Sequence, residues 1–146
     1  MAVILVIDDA ATVRHLMRRV LVEAAHTVIE AQDGDVGLSL FQAQRPALVI
    51  TDLFMPNREG IETIQELRRL APDAKIIAMS SSSTPSGKLY LSAARKLGAD
   101  AILPKPFKPA ELLAAVENAL APSEVPYRPT SPQPSPPPAA EREGPA

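Results

Sequence analysis

Residues 4–10 read ILVIDDA, an aliphatic run that stops at two adjacent carboxylates, Asp8 and Asp9. Two like charges about 4 Å apart repel by roughly 1–4 kcal/mol, depending on screening. A chain that ends a buried segment in such a pair has to relieve it with a cation, a raised pKa or full exposure to water. Which of these applies depends on what the rest of the chain brings to the same place.

Outward from this stretch, the first 121 residues alternate between two periodicities. Five short β-like runs appear: VILVI from residue 3, HTVIEA from 26, ALVIT from 47, KIIAMS from 75 and AIL from 101. Helical spacing fills the intervals. Val13, Leu16, Met17, Val20, Leu21 and Ala24 form one stripe, and Ile61, Ile64, Leu67 and Leu70 another. Leu89, Ala93, Ala94 and Leu97 form a third, with Gly98 as its C-cap. Leu112, Leu113, Val116 and Leu120 form the last. Asp35 to Ala43 is the weakest helical segment, because Gly37 costs about 1 kcal/mol there relative to Ala.

Strand and helix in regular alternation imply an α/β fold with a parallel sheet. The first, third and fourth runs are almost wholly apolar, as in strands covered on both faces. Pro104 closes the fifth run, and proline is tolerated at a sheet edge far better than at its centre. These features predict a five-stranded parallel sheet of order 2-1-3-4-5, doubly wound in the flavodoxin-like manner with helices on both faces.

Length and composition bound the class. The chain has 146 residues, 46% of them apolar but only 3% aromatic, so one domain with an aliphatic core is expected. It has no cysteine, which excludes disulfides and thiol chemistry. A net charge of −2 gives no basic surface for nucleic acid. No apolar stretch reaches the roughly 18 residues of a membrane span. Nor does the start carry a signal-peptide pattern, so a cytoplasmic protein is expected. Residues 122–146, PSEVPYRPTSPQPSPPPAAEREGPA, lose all apolar periodicity. The expected organisation is a folded domain over 1–121 and a Pro/Ser-rich disordered tail over 122–146.

In an open parallel sheet, ligands bind beyond the C-terminal ends of the strands, at the switch in strand order. Asp8 and Asp9 end the first strand, Asp52 the third, Ser80 the fourth and Pro104-Lys105-Pro106 the fifth. Taken singly, each has a duller reading: a helix N-cap, a turn residue, a loop serine or a solvated lysine. Jointly they place three carboxylates, one hydroxyl and one ammonium at one sheet edge. That surplus of negative charge suits Mg2+, a hard cation that needs only one or two carboxylates beside its waters. Aspartate is also a nucleophile that can form an acyl-phosphate, with the cation and a lysine stabilising the phosphoryl oxygens.

Four blocks, ILVIDDA, LVITDLFMPNREG, IIAMSS and GADAILPKPF, resemble in order and spacing the receiver domain of bacterial two-component response regulators. The resemblance covers residues 2 to 121. It implies that Asp52 is the phosphoacceptor and takes phosphate from a phosphohistidine. It implies Mg2+ held by Asp9, Asp52 and the backbone carbonyl of Phe54, with Asp8 assisting largely through water. Ser80 takes the place of the switch hydroxyl, Lys105 pairs with the phosphoryl group, and the Lys105–Pro106 peptide is expected to be cis. Pro56 and Gly60 match the turn after the phosphoacceptor. Ile102 stands where the family often has an aromatic switch residue, and Glu59 where Asp is commoner. Phe54 is placed to shade the acyl-phosphate from water. The partners implied are a sensor histidine kinase or a histidine phosphotransfer protein, and a downstream protein target. Arg14, Arg18 and Arg19 on the first helix offer a basic face for the phosphodonor, or simply a solvated one.

The expected function is therefore a single-domain response regulator that signals through altered protein contacts. It would catalyse at most its own phosphorylation and dephosphorylation, and it is expected to bind neither nucleic acid nor membrane. Two alternatives stand beside it. A phosphate-independent pseudo-receiver is favoured only by Ile102. An aspartate-nucleophile phosphatase would want D-x-D at the first strand, where this chain has D-D-A-A.

Overall fold

The computed structural model describes residues 2–53, 60–81, 85–96 and 98–121. Five strands and five helices alternate: β1 (Val3–Ile7), α1 (Ala11–Glu23), β2 (Thr27–Ala31), α2 (Gly34–Gln44), β3 (Leu48–Asp52), α3 (Gly60–Leu70), β4 (Ile76–Ser81), α4 (Pro85–Lys96), β5 (Ala101–Lys105) and α5 (Pro109–Leu120). All pairings are parallel and the order is β2-β1-β3-β4-β5, as the apolar patterning predicts. β5 lies at the edge and accommodates Pro104, which is exposed there.

Alternate residues of the central strands feed two separate cores. Ile4 and Val6 of β1 and Ile50 of β3 pack with Met17 and Leu21 of α1 and Leu112 and Val116 of α5. Leu5, Ile7 and Val49 pack on the other face with Leu38 and Phe41 of α2, Ile64 and Leu67 of α3, and Ala94 of α4. This is why β1 and β3 carry no polar face: each side is covered by helices.

Three helical expectations change. Leu89 is 71% exposed, whereas Ala94 on the same helix is fully buried. Residues five apart face different directions on a 3.6-residue helix, and it is the small Ala94 that lies against the sheet. Leu16 is also largely exposed, so the buried stripe of α1 narrows to Met17 and Leu21. Gly37 does not merely weaken α2. A Cβ there would stand 2.4 Å from Ile7 Cδ1, so the missing side chain lets α2 pack directly on β1. Asp33 caps α2, its Oδ1 accepting from the Val36 N–H at 2.9 Å.

Gly60 opens α3 and closes the connection from β3. Its N–H donates to the Leu53 carbonyl at 3.0 Å. A Cβ at this position would lie 2.3 Å from the Asp52 carbonyl oxygen and 2.5 Å from Leu53 Cα. Both are backbone atoms that cannot swing aside. Gly60→Ala is therefore expected to lose on the order of 1–3 kcal/mol through overpacking, although Ala is the better helix former by about 1 kcal/mol. Chemical denaturation of the two proteins checks this, and an equally stable variant would refute the close approach.

Candidate functional site

The parallel register decides which side chains meet. Leu53 N–H donates to the Met79 carbonyl at 3.0 Å, and Asp52 pairs with Met79, so Ser80 lies one residue past the end of β3. Ser80 in turn pairs with Pro104, which puts Lys105 at the same edge. On the other side β1 runs beside β3 and delivers Asp8 and Asp9.

Asp8, Asp9 and Asp52 each present a carboxylate oxygen within 4.8 Å of the others. Asp8 and Asp52 are buried, whereas Asp9 is exposed. Lys105 reaches over the cluster, its Nζ 3.0 Å from Asp8 Oδ2 and 3.4 Å from Asp52 Oδ1. Asp8 Oδ1 also accepts from the Ala10 N–H at 2.9 Å. The Lys105–Pro106 peptide is cis. Thus Asp8, Asp9, Asp52 and Lys105 come together as the sequence predicts, and Ser80 sits in the same strand-end row. Phe54, whose carbonyl was expected to join the site, lies outside the described residues, as do Pro56 and Glu59.

The charge balance is uneven. Burial pushes the Asp52 carboxyl up to about 6, helped by the nearby Asp8 and opposed by Lys105. Burial also pulls the Lys105 ammonium down, but Asp52 and Asp8 together outweigh it and hold it above the usual lysine value. One ammonium therefore leaves Asp52 underneutralised. A divalent cation among the three carboxylates fits this donor set, all hard oxygens, and would supply the missing positive charge. Ser80 gives a second sign that something is accommodated here. It is 1% exposed, and its Oγ has no hydrogen-bond partner among the described residues. Buried hydroxyls are rarely left so.

The basic face of α1 is partly engaged within the fold. Arg14 Nε donates to Glu30 Oε1 at 3.0 Å, and Arg14 Nη1 to the Asp8 carbonyl at 2.8 Å. Arg18 binds the other oxygen of Glu30 and the Val28 carbonyl. Burial favours the neutral form of Glu30, but the two guanidiniums prevail and hold its carboxyl below the usual range. Arg14 and Arg18 both pair with Glu30 of β2, Arg14 half-buried and Arg18 still exposed, and Arg19 is exposed as well. Glu30 escaped sequence reasoning. Its one signal is a carboxylate within the otherwise apolar run TVIEA.

Beside the carboxylates, Val13, Leu16, Lys105, Pro106 and Phe107 line a cleft of about 400 Å³. Ile102, at the position of the family's aromatic residue, is half-buried on the face covered by α2, α3 and α4. No helix among the described residues is long and apolar enough to cross a membrane.

Comparison with known proteins agrees with this geometry. Residues 4–117 match the family described as response regulator receiver domain. The chain is 39% identical over 117 residues to a probable transcriptional regulator, ycf27, of Porphyridium aerugineum, covering 80% of this chain and 47% of that protein. It is 38% identical over 117 residues to the response regulator MprA of Mycolicibacterium vanbaalenii, with 80% and 49% covered. It therefore spans about half the length of these curated relatives. Among solved structures, the chemotaxis protein CheY4 of Vibrio cholerae superposes with a TM-score of 0.73 at 30% identity, covering 82% of this chain and 99% of that one. With the strand order, the strand-end carboxylates and the matched residues in agreement, the chain belongs to the response regulator receiver domain family of two-component systems.

Proposed function

We propose that Asp52 is the phosphoacceptor of this receiver. The reading rests on one observation above all: a buried, underneutralised carboxylate beside a lysine and two further carboxylates. An Asp52 oxygen attacks the phosphorus of a phosphohistidine, the new O–P bond forms as the P–N bond breaks, and the imidazole leaves. The Lys105 ammonium swings from carboxylate to phosphoryl oxygen as charge builds there. Asp8, Asp9 and Asp52, with the Phe54 carbonyl, would hold Mg2+, whose chemistry when bound is to neutralise the phosphoryl oxygens. The Ser80 hydroxyl, without a partner among the described residues, donates to the phosphorylated side chain.

The donor is a sensor histidine kinase or a histidine phosphotransfer protein. The output is a changed contact with a downstream protein, with nucleic acid and membrane not engaged by these residues. Ile102 means that this output does not run through rotation of an aromatic ring at that position. The folded unit ends near residue 121, with 122–146 as a separate Pro/Ser-rich tail. The setting is cytoplasmic. The protein does chemistry only on itself.

The direct test is intact mass after incubation with phosphoramidate and Mg2+. A single phosphate adduct that requires Mg2+ and is absent from Asp52→Ala is expected. A folded wild type that takes up no phosphate would sink the assignment and favour a phosphate-independent binding module.

The raised Asp52 pKa also sets a pH dependence. Native Asp52 holds its proton up to about pH 6, whereas the unfolded chain releases it near 4. Between these values the native state binds more protons, so metal-free stability falls as pH rises through the window. Asp52→Asn stays neutral throughout. Its melting temperature in EDTA should match wild type below pH 4 and exceed it above pH 6, by the equivalent of about 2–3 kcal/mol. Equal melting temperatures at pH 7.5 would contradict the assigned burial of charge.

Ser80→Ala separates structure from signalling. Removing a buried hydroxyl that has no partner among the described residues should stabilise the unphosphorylated protein by about 1 kcal/mol. The same change should shorten the lifetime of the phosphorylated form, measured by loss of the adduct in mass spectra. A destabilised variant would mean that the hydroxyl is satisfied in the resting protein.

A further inference from the structure

Arg14 is half-buried, and its guanidinium spans three elements. It leaves α1, takes up Glu30 of β2 and ends on the Asp8 carbonyl just past β1. Asp8 is thereby held through every polar group it has. Its N–H donates to the Ala31 carbonyl at 3.1 Å, its carbonyl accepts from Arg14 at 2.8 Å, and its two carboxylate oxygens accept from the Ala10 N–H and Lys105. The Asp8 carbonyl belongs to the planar peptide that leads into Asp9. Pinning that oxygen fixes the plane and hence the direction in which Asp9 leaves.

We infer that Arg14, oriented by Glu30, is a positioning residue for the cation site: it locks the Asp8–Asp9 peptide so that both carboxylates address the same point as Asp52. This rests on the reading of the three carboxylates as a divalent-cation site. Groups that orient metal ligands are often worth about 10-fold or more in metal affinity. The sign of the effect distinguishes positioning from bulk electrostatics. A guanidinium near an acidic site repels a divalent cation, so charge alone predicts tighter metal binding when Arg14 is neutralised. Positioning predicts weaker binding.

Mn2+ serves as the probe, titrated into the full 146-residue chain with free Mn2+ read by electron paramagnetic resonance. Arg14→Gln is expected to weaken Mn2+ binding about 10-fold. Arg14→Lys keeps the charge but has a single nitrogen where the guanidinium uses Nε for Glu30 and Nη1 for Asp8, and should fall between Arg14→Gln and wild type. Arg18→Gln removes the same charge from the same helix without touching Asp8, and should bind Mn2+ no more weakly than wild type. Circular dichroism establishes that each variant is folded. If Arg14→Gln does not fold, Arg14→Lys carries the test alone, because its charge is unchanged. Wild-type affinity or better in Arg14→Gln overturns the inference, as does an equal loss in Arg18→Gln. Failure of the wild type to bind Mn2+ would instead overturn the cation-site reading, and the inference with it.

Discussion

Three carboxylates held within 4.8 Å of one another carry more negative charge than a single lysine offsets, and the fold buries two of them where water cannot fully screen them. Asp8 and Asp52 are buried at the ends of neighbouring strands, with Lys105 between them as the one ammonium in contact among the described residues. Burial raises the Asp52 pKa, Asp8 adds to the rise, and Lys105 opposes it without cancelling it. A protein that keeps such a cluster keeps a site whose charge changes whenever a proton, a cation or a phosphoryl group arrives.

The geometry is held by backbone more than by side chains. Parallel pairing from β2 to β5 sets the strand ends in one row, and helices cover both faces of the sheet. Gly37 and Gly60 matter because each allows a helix to come close to a strand that carries a site aspartate. At the opposite edge, Arg68 of α3 gathers the carbonyls of Pro72, Ala74 and Gly98 and the carboxylate of Asp100, while Asp100 accepts from the Ile76 N–H. That network binds the entries to β4 and β5 and so supports the register in which Ser80 and Lys105 arrive together.

Much of this was legible in the residues. Aliphatic runs without alternation announce doubly covered strands, and Pro104 announces an edge. The strand-end positions of Asp8, Asp9, Asp52, Ser80 and Lys105 follow once the order is assumed. What escaped was long-range pairing. Leu89 has helical spacing yet points away from the sheet. Arg14 and Arg18 gave no sign of their common partner Glu30, which is distant in sequence and pairs with both.

The sequence by itself determined the element types, their alternation and the set of groups available for chemistry. These depend on periodicity and residue type, which are local properties. Only the tertiary structure decided that Asp8 and Asp52 are buried while Asp9 is exposed, that Lys105 bridges the two buried carboxylates, and that the Ser80 hydroxyl has no partner among the described residues. Burial and charge pairing are sums over neighbours from distant parts of the chain. They take their values only when the strands lie in register and the helices close over them.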